Sequence, residues 1–383
     1  MPPVGCYNAA SSSKPLPTLA MPVTAEPLAA VRSTRNACAA HALQRAWNEA
    51  SGIHSLFASD DPQCAESVVA SVFRPHRLAL PRTAAPLNAA MDYLPVGALS
   101  MSRLRYGRAV DILPGPLERF YLIQIPMRGH ARIDTGRVAF HSHAGCAALL
   151  SPQPDLAMNW SEDSDQLILR FDAELVRRYC AAWCGDAKLP PPVFDPCLRL
   201  DDHAPIASLL LSLIGLSQHP PPRSNGDASV AAQAHTLSVL QLQNQLLAAL
   251  LCHQPHSASE RLRVSAPPLA PRHVRRVEEH LVAHPRDEVT PETLAELAGV
   301  SVRSLYLGFQ RTRGIGPMKF LHELRLHKVR DELLLAPAAT RITEVALAWG
   351  FFHLGRFAQD YKALFGESPS RTRLAAARRG SFA

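Results

Sequence analysis

Between Val68 and Phe171 the apolar residues fall in short runs divided by Gly, Pro and Asp. Leu99–Tyr106 alternates, Phe120–Met127 is apolar and rich in β-formers, and Arg137–Phe140, Cys146–Leu150 and Gln166–Phe171 follow. Leu113-Pro114-Gly115-Pro116, Arg128-Gly129, Asp134-Thr135-Gly136, Ala144-Gly145 and Ser151-Pro152 supply turns between them. Short strands at roughly ten-residue spacing predict a β-sandwich or small barrel. After Phe171 the period lengthens. Ala173–Cys184, His203–Leu216 and Ala228–Cys252 read as helices, as does Ala39–Ala50. The Ala228–Cys252 helix carries a broad apolar stripe through Leu237, Leu240, Leu247 and Leu251. Such a stripe needs a partner, either its own domain or a second subunit.

From about residue 270 the pattern is helical throughout. Thr290-Pro291-Glu292-Thr293 combines an N-cap residue, Pro at the first helical position and an early carboxylate. That helix continues through Leu294 and Leu297 and stops at Gly299. Ser301 then caps a second helix, Val302–Arg313, with Leu305 and Phe309 on its inner face. A helix, a tight Gly-containing turn and a helix make the shape that can set its second member into a DNA major groove. The pattern repeats: Glu344–Trp349 stops at Gly350, and after Phe351-Phe352-His353 a helix carries Phe357, Tyr361 and Leu364 inward. Between the two units Gly316-Pro317 opens a long helix to Leu335. At about 1.5 Å per residue it spans roughly 28 Å. A strut of that length holds two recognition helices near the ~34 Å of one DNA turn.

Charge supports this placement. The 383-residue chain carries a net +7, and residues 270–383 hold eighteen Lys and Arg against twelve Asp and Glu, which accounts for six of those charges. A basic excess confined to one end is what a DNA footprint requires. The outward residues of the first recognition helix are Arg303, Ser304, Tyr306, Leu307 and Gln310, and those of the second are His353, Leu354, Arg356, Gln359 and Lys362. Arg pairs bidentately with guanine, Gln suits adenine, and Lys or Arg neutralises phosphate.

The expected organisation is α+β and multidomain. Residues 1–40, rich in Pro, Ala and Ser, form a disordered extension; 41–200 form the strand-rich domain; 201–253 a helical dimerisation or interdomain segment; 254–271, polar and Pro-containing, a linker; and 272–380 the all-α domain.

Ile342–Arg373, ITEVALAWGFFHLGRFAQDYKALFGESPSRTR, closely resembles the signature of the AraC/XylS family of transcription regulators, and Leu294–Gly314 is similar to that family's first helix-turn-helix. HLGRFA and SVRSLYLGF resemble the subgroup that regulates aromatic-acid catabolism. RLRYG, LERFYLIQIPMRGHARI and ALLSPQPDLAMNWSEDSDQLILRF, in that order, resemble its sensor domain. The resemblance implies a cupin-like barrel that holds a small effector, a C-terminal double helix-turn-helix on double-stranded DNA, a homodimer, and activation through RNA polymerase. It places Arg303 and Leu307 at base-reading positions of the first element, and Arg356 and Gln359 at those of the second. Leu307 departs from the polar residue expected there, although Leu can touch a thymine methyl. Candidate effector contacts are Arg103, Arg105, Tyr106, Gln124 and Arg128, and an Arg would pair bidentately with an aromatic carboxylate.

Two other classes fit parts of the sequence. The barrel could serve dimerisation alone, in a regulator that needs no effector. His141-Ser142-His143, with His130 upstream, resembles half of a metal-binding cupin motif, but no Glu follows within several residues, so a metal-dependent enzyme is disfavoured and no metal or cofactor is expected. The eight cysteines include no CxxC pair, and Cys180 and Cys184 read as small apolar residues of a reducing compartment. No run approaches the roughly 18 apolar residues of a membrane span, and the first residues lack a secretory-signal layout, so a cytoplasmic location is expected.

Overall fold

In the computed structural model, residues 39–80, 86–153, 155–217, 227–263, 270–335, 337 and 339–379 are described. Nearly all of the expected N-terminal extension lies outside them. The strands form two sheets. The larger runs in the order β1 (His54–Ser59), β3 (Ala89–Val96), β4 (Leu99–Arg105), β11 (Asp165–Asp172), β6 (Phe120–Arg128), β9 (Ala147–Leu150), β12 (Cys197–Leu198). The smaller runs β2 (Arg77–Ala79), β5 (Val110–Leu113), β10 (Ala157–Trp160), β7 (Ala131–Asp134), β8 (Ala139–Ser142). All the strand pairs are antiparallel.

Both faces of the larger sheet are covered. Along β6, Phe120 and Leu122 turn into a core shared with the smaller sheet, where they meet Ile112, Ile133, Met158 and Trp160. Tyr121, Ile123, Ile125 and Met127, one position out of phase, join a second core. That second core is capped by helices α1 (Ala39–Glu49), α3 (Ala173–Cys184), α4 (Ala204–Ser217) and α5 (Asp227–His253). A strand buried on both faces loses the alternation of a half-exposed strand, which is why Phe120–Met127 reads as one apolar run. The barrel is closed at one end by α2 (Pro62–Val72), whose N-cap Asp61 accepts from the Gln63 and Cys64 amides. No helix was expected over α2. Cys146 and Cys197, 51 residues apart, are brought side by side next to β9 and β12 with Cα atoms 6.0 Å apart.

The apolar stripe of α5 finds its partner largely within the chain: Leu246, Leu247, Leu250 and Leu251 are buried against α4 and α3. The expected linker is partly structured. It contains α6 (Ser259–Arg263), and His256 pairs with Phe194.

The C-terminal helices are α7 (Arg272–Ala283), α8 (Pro291–Ala298), α9 (Val302–Arg313), α10 (Pro317–Leu335), α11 (Ile342–Ala348), α12 (Leu354–Phe365) and α13 (Pro369–Arg379). The long helix α10 belongs to three cores at once. Leu321 packs with α7, α8 and α9; Leu326, Val329 and Leu333 pack with α11 and α12; and Leu334 is buried with the barrel interior. Polar contacts reinforce this docking. Arg330 Nη2 donates to the Ser71 and Val72 carbonyls at the C-terminus of α2, at 3.0 and 2.9 Å, and lies 3.4 Å from Glu367 Oε1. His327 Nε2 is 3.3 Å from Asp172 Oδ2, and Arg178 is bidentate to Glu323.

One of these contacts titrates in a useful range. Tyr93 Oη donates to Asp331 Oδ1 at 3.1 Å. Desolvation at the interface pushes the Asp331 carboxyl up to about 6, against the lowering influence of Lys328, His327, the Tyr93 hydroxyl and Arg330. A raised carboxyl pKa means that the folded chain holds this proton more tightly than the unfolded chain does. Its stabilising contribution is therefore present at low pH and lost as pH rises from near 4 through about 6. Asp331→Asn is expected to raise the melting temperature at pH 7.5, with the gain shrinking toward pH 4. A gain independent of pH would exclude this carboxyl as its cause.

Candidate nucleic-acid interface and ligand pocket

Each helix-turn-helix is built by local rules that then pack together. Thr290 caps α8 in a reciprocal arrangement with Thr293, and Gly299 ends the helix at φ +67°, a left-handed conformation that suits Gly. Ser301 caps α9 through the Ser304 amide, and Gly314 closes it at φ +68°. Leu305 and Phe309 are buried against Val274, Leu294 and Leu321. In the second unit Phe357, Tyr361 and Phe365 of α12 are buried with Val345 and Phe351, and Gly366 ends the helix at φ +78°.

The opposite faces of α9 and α12 are exposed. Arg303, Ser304, Tyr306, Leu307 and Gln310 all face outward on α9, as do His353, Leu354, Arg356, Gln359 and Lys362 at α12. Leu307 is 48% exposed, which places an apolar side chain on an otherwise polar surface. Some of these groups have local partners. Ser304 Oγ bonds Ser301 Oγ, Gln310 Nε2 donates to the Gly314 carbonyl, and Tyr306 lies over Gly316, leaving no room for a Cβ there. Arg356 extends freely: its side chain is 81% exposed, and its ion pair with Asp360 is long at 3.7 Å. The C-terminal ends of both recognition helices rest on the N-terminal half. Gly314 packs on Arg178 of α3, and Arg119 of the barrel donates to the Lys362 and Ala363 carbonyls at the end of α12.

Inside the barrel is a cavity of about 440 Å³, mouth included, lined mainly by apolar side chains such as Leu104, Leu122, Met158 and Ile168. Five buried polar atoms around it have no hydrogen-bond partner: Tyr106 Oη, Trp160 Nε1, Gln124 Oε1, His76 Nε2 and Arg74 Nε. Burial lowers the His76 pKa, outweighing the Arg74 carbonyl bond and Glu66, so the ring is neutral. Burial raises the Tyr106 pKa, so its hydroxyl stays a donor.

Two family models match the chain: the AraC-binding-like domain over residues 65–252 and the helix-turn-helix domain over 294–375. A probable thc operon regulatory protein of Rhodococcus erythropolis is 33% identical over 319 residues, which span 82% of this chain and 93% of that protein. This chain belongs to the AraC/XylS family. A XylDLEGF operon transcriptional activator of Pseudomonas putida is 29% identical over 324 residues, spanning 83% of this chain and 94% of that protein. Among solved structures, a probable AraC family regulator from Rhodopseudomonas palustris CGA009 is 40% identical over 28% of this chain and 99% of that one, with a TM-score of 0.27.

As an AraC/XylS regulator the chain is a sequence-specific DNA-binding transcription regulator, with a cupin-like AraC-binding-like domain and a helical DNA-binding domain. The five sensor candidates divide. Tyr106 and Gln124 line the barrel cavity together. Arg103 instead pairs with Asp165 at 2.7 Å and donates to Asn48, while Arg105 and Arg128 are exposed at strand ends. Arg74, His76 and Trp160 were not anticipated. Arg74 and His76 follow α2 in a stretch with no strand or helix signal, and Trp160 is the end of a four-residue strand too short to show a period. His130 and His141 stand 6.5 Å apart, centroid to centroid, and His143 Nδ1 accepts from the Gly145 amide. Among the described residues no three His, Cys, Asp or Glu gather as a metal site, and no helix is long and apolar enough to cross a membrane.

Proposed function

We propose that this regulator is a cytoplasmic, homodimeric activator that binds an aromatic carboxylate in its barrel and recruits RNA polymerase beside the operator. The observation that carries the effector reading is the cavity itself. Its walls are mostly apolar with a few convergent polar groups, as in ligand pockets, and its buried donors lack acceptors. A flat apolar ring suits the Leu104, Leu122 and Ile168 walls. The carboxylate would accept from Arg74, Tyr106 and Trp160, which relieves three buried donors at once. Arg74 thus takes the role first assigned to Arg103, Arg105 and Arg128.

On the DNA side, Arg303, Arg356 and Gln359 are the base readers; Leu307 offers a thymine-methyl contact; and Ser304, Tyr306, Gln310, His353 and Lys362 position the helices on the backbone or flanking bases. A role in regulation and not in catalysis is supported by the relatives, an operon regulatory protein and an operon transcriptional activator.

Calorimetry of the full chain with benzoate tests the effector. Saturable binding is expected, with Arg74→Gln weakening it about tenfold or more, the scale of a lost charged hydrogen bond. Absence of binding by benzoate and ring-substituted benzoates would favour a barrel that serves dimerisation alone. Equal affinity in the variant would remove Arg74 from the site.

A further inference from the structure

A second cavity, of about 100 Å³, lies where the N-terminal helices meet the DNA-binding helices, between α3, α5, α10 and the turn after α9. Leu175, Leu240, Leu247, Ile315, Phe320 and Leu324 make up much of its wall, and none of them touches the barrel cavity. Its charged groups stand beside partners of opposite sign. Arg178 faces Glu323 at 2.6 and 3.0 Å, His327 faces Asp172 at 3.3 Å, and Arg313 is paired with Glu278. Lys328 adds a cation near the Asp331 carboxyl.

One donor is left over. Arg178 is buried, its Nε–H has no hydrogen-bond acceptor, and Glu174 Oε1 is 3.9 Å away, outside bonding distance. Buried N–H groups without an acceptor are uncommon, and one on the wall of an apolar cavity marks where an acceptor is missing.

We propose that this cavity is a second ligand site, separate from the barrel, for a small uncharged apolar molecule carrying one hydrogen-bond acceptor, such as an ester or ketone carbonyl. The carbonyl accepts from Arg178 Nε, and the body of the molecule lies against Leu175, Leu240 and Leu324. The charged groups of the lining are already matched, with Arg178 on Glu323, His327 on Asp172 and Lys328 beside Asp331, so an uncharged ligand leaves that balance undisturbed whereas an anion would add an unmatched charge. The site touches the end of a recognition helix: a Cβ at Gly314, the cap of α9, would come within 3.3 Å of the Arg178 Cβ. A ligand that binds better to the docked arrangement therefore shifts the population toward the first helix-turn-helix held on α3.

The test uses the full chain with Leu methyl groups isotopically labelled, titrated with methyl benzoate and, separately, benzoate. Methyl benzoate is expected to shift the methyls of Leu175, Leu247 and Leu324 saturably, with benzoate about tenfold weaker at those methyls. Leu240→Trp, which fills the cavity from α5, should abolish these shifts while those of Leu104 and Leu122 in the barrel keep their own response to benzoate. Arg178→Lys should weaken the ester while the barrel response again persists. The proposal is overturned if the interdomain methyls do not respond at millimolar ester, if their shifts survive Leu240→Trp, or if the anion binds them as tightly as the ester. Failure of the barrel to bind benzoate appears at Leu104 and Leu122 only, and is distinguishable from all three.

Discussion

Replacing Arg330 by Met is expected to destabilise the protein by about 3–5 kcal/mol, the cost of breaking a buried ion pair by removing one partner. Met keeps much of the apolar stem, so the loss isolates the guanidinium. That group is buried, bonded to the Ser71 and Val72 carbonyls, stacked 4.8 Å over the Phe365 ring and close to Glu367. Without it, Glu367 keeps the Thr372 hydroxyl at 2.8 Å and the weaker influence of Arg170 and Arg371, in a site where burial already raises its pKa. Some relief offsets this, because Arg170 is held down to about 10 first by burial and then by repulsion from Arg330. The double variant Arg330→Met with Glu367→Gln should therefore be markedly more stable than the single one. Urea unfolding measures both. A single-variant loss below about 1 kcal/mol, the range of surface pairs, would show that the Arg330 guanidinium does not anchor α10 on the barrel.

The second large effect is on DNA. Arg303→Ala and Arg356→Ala should each cost roughly 1–3 kcal/mol on the operator if they read bases. The two residues lie on different helices with separate cores, so their losses should add to roughly 2–6 kcal/mol, about 30-fold to 10⁴-fold in affinity. The pattern over sequences carries the assignment. A base reader loses discrimination at one position while the slope of affinity against salt changes little. A phosphate contact weakens every duplex alike and reduces that slope by about one. A double variant that binds its operator as tightly as the parent would remove both residues from the interface.

The helix-turn-helix units were legible because their determinants are local. Thr290, Ser301 and the glycines at 299, 314 and 366 declare where helices start and stop, and the 3.6-residue period declares which side is inward. All nine proposed DNA-facing residues are exposed as a result. The barrel was legible as a class only. Leu99–Arg105 has buried residues on both of its faces, so alternation could separate the two faces but could not say which one looks into the cavity. Tyr106 and Gln124 fell on the cavity side, whereas Arg103 fell on the far side against Asp165.

The sequence by itself determined two recognition helices, their inner and outer faces, and a β-rich domain ahead of them, since periodicity and capping act over a few residues. Only the tertiary structure decided how those parts are joined. Arg330 and Arg178 look like ordinary charged positions on helices until α10 and α3 bring carbonyls and carboxylates from 37 to 259 residues away against them. Arg74 and Trp160 share a cavity only because α2 and β10 close the same barrel. Contacts at that separation carry no local signature; they exist where burial of apolar surface on both sides brings the segments together, and the buried charges must then find partners in place.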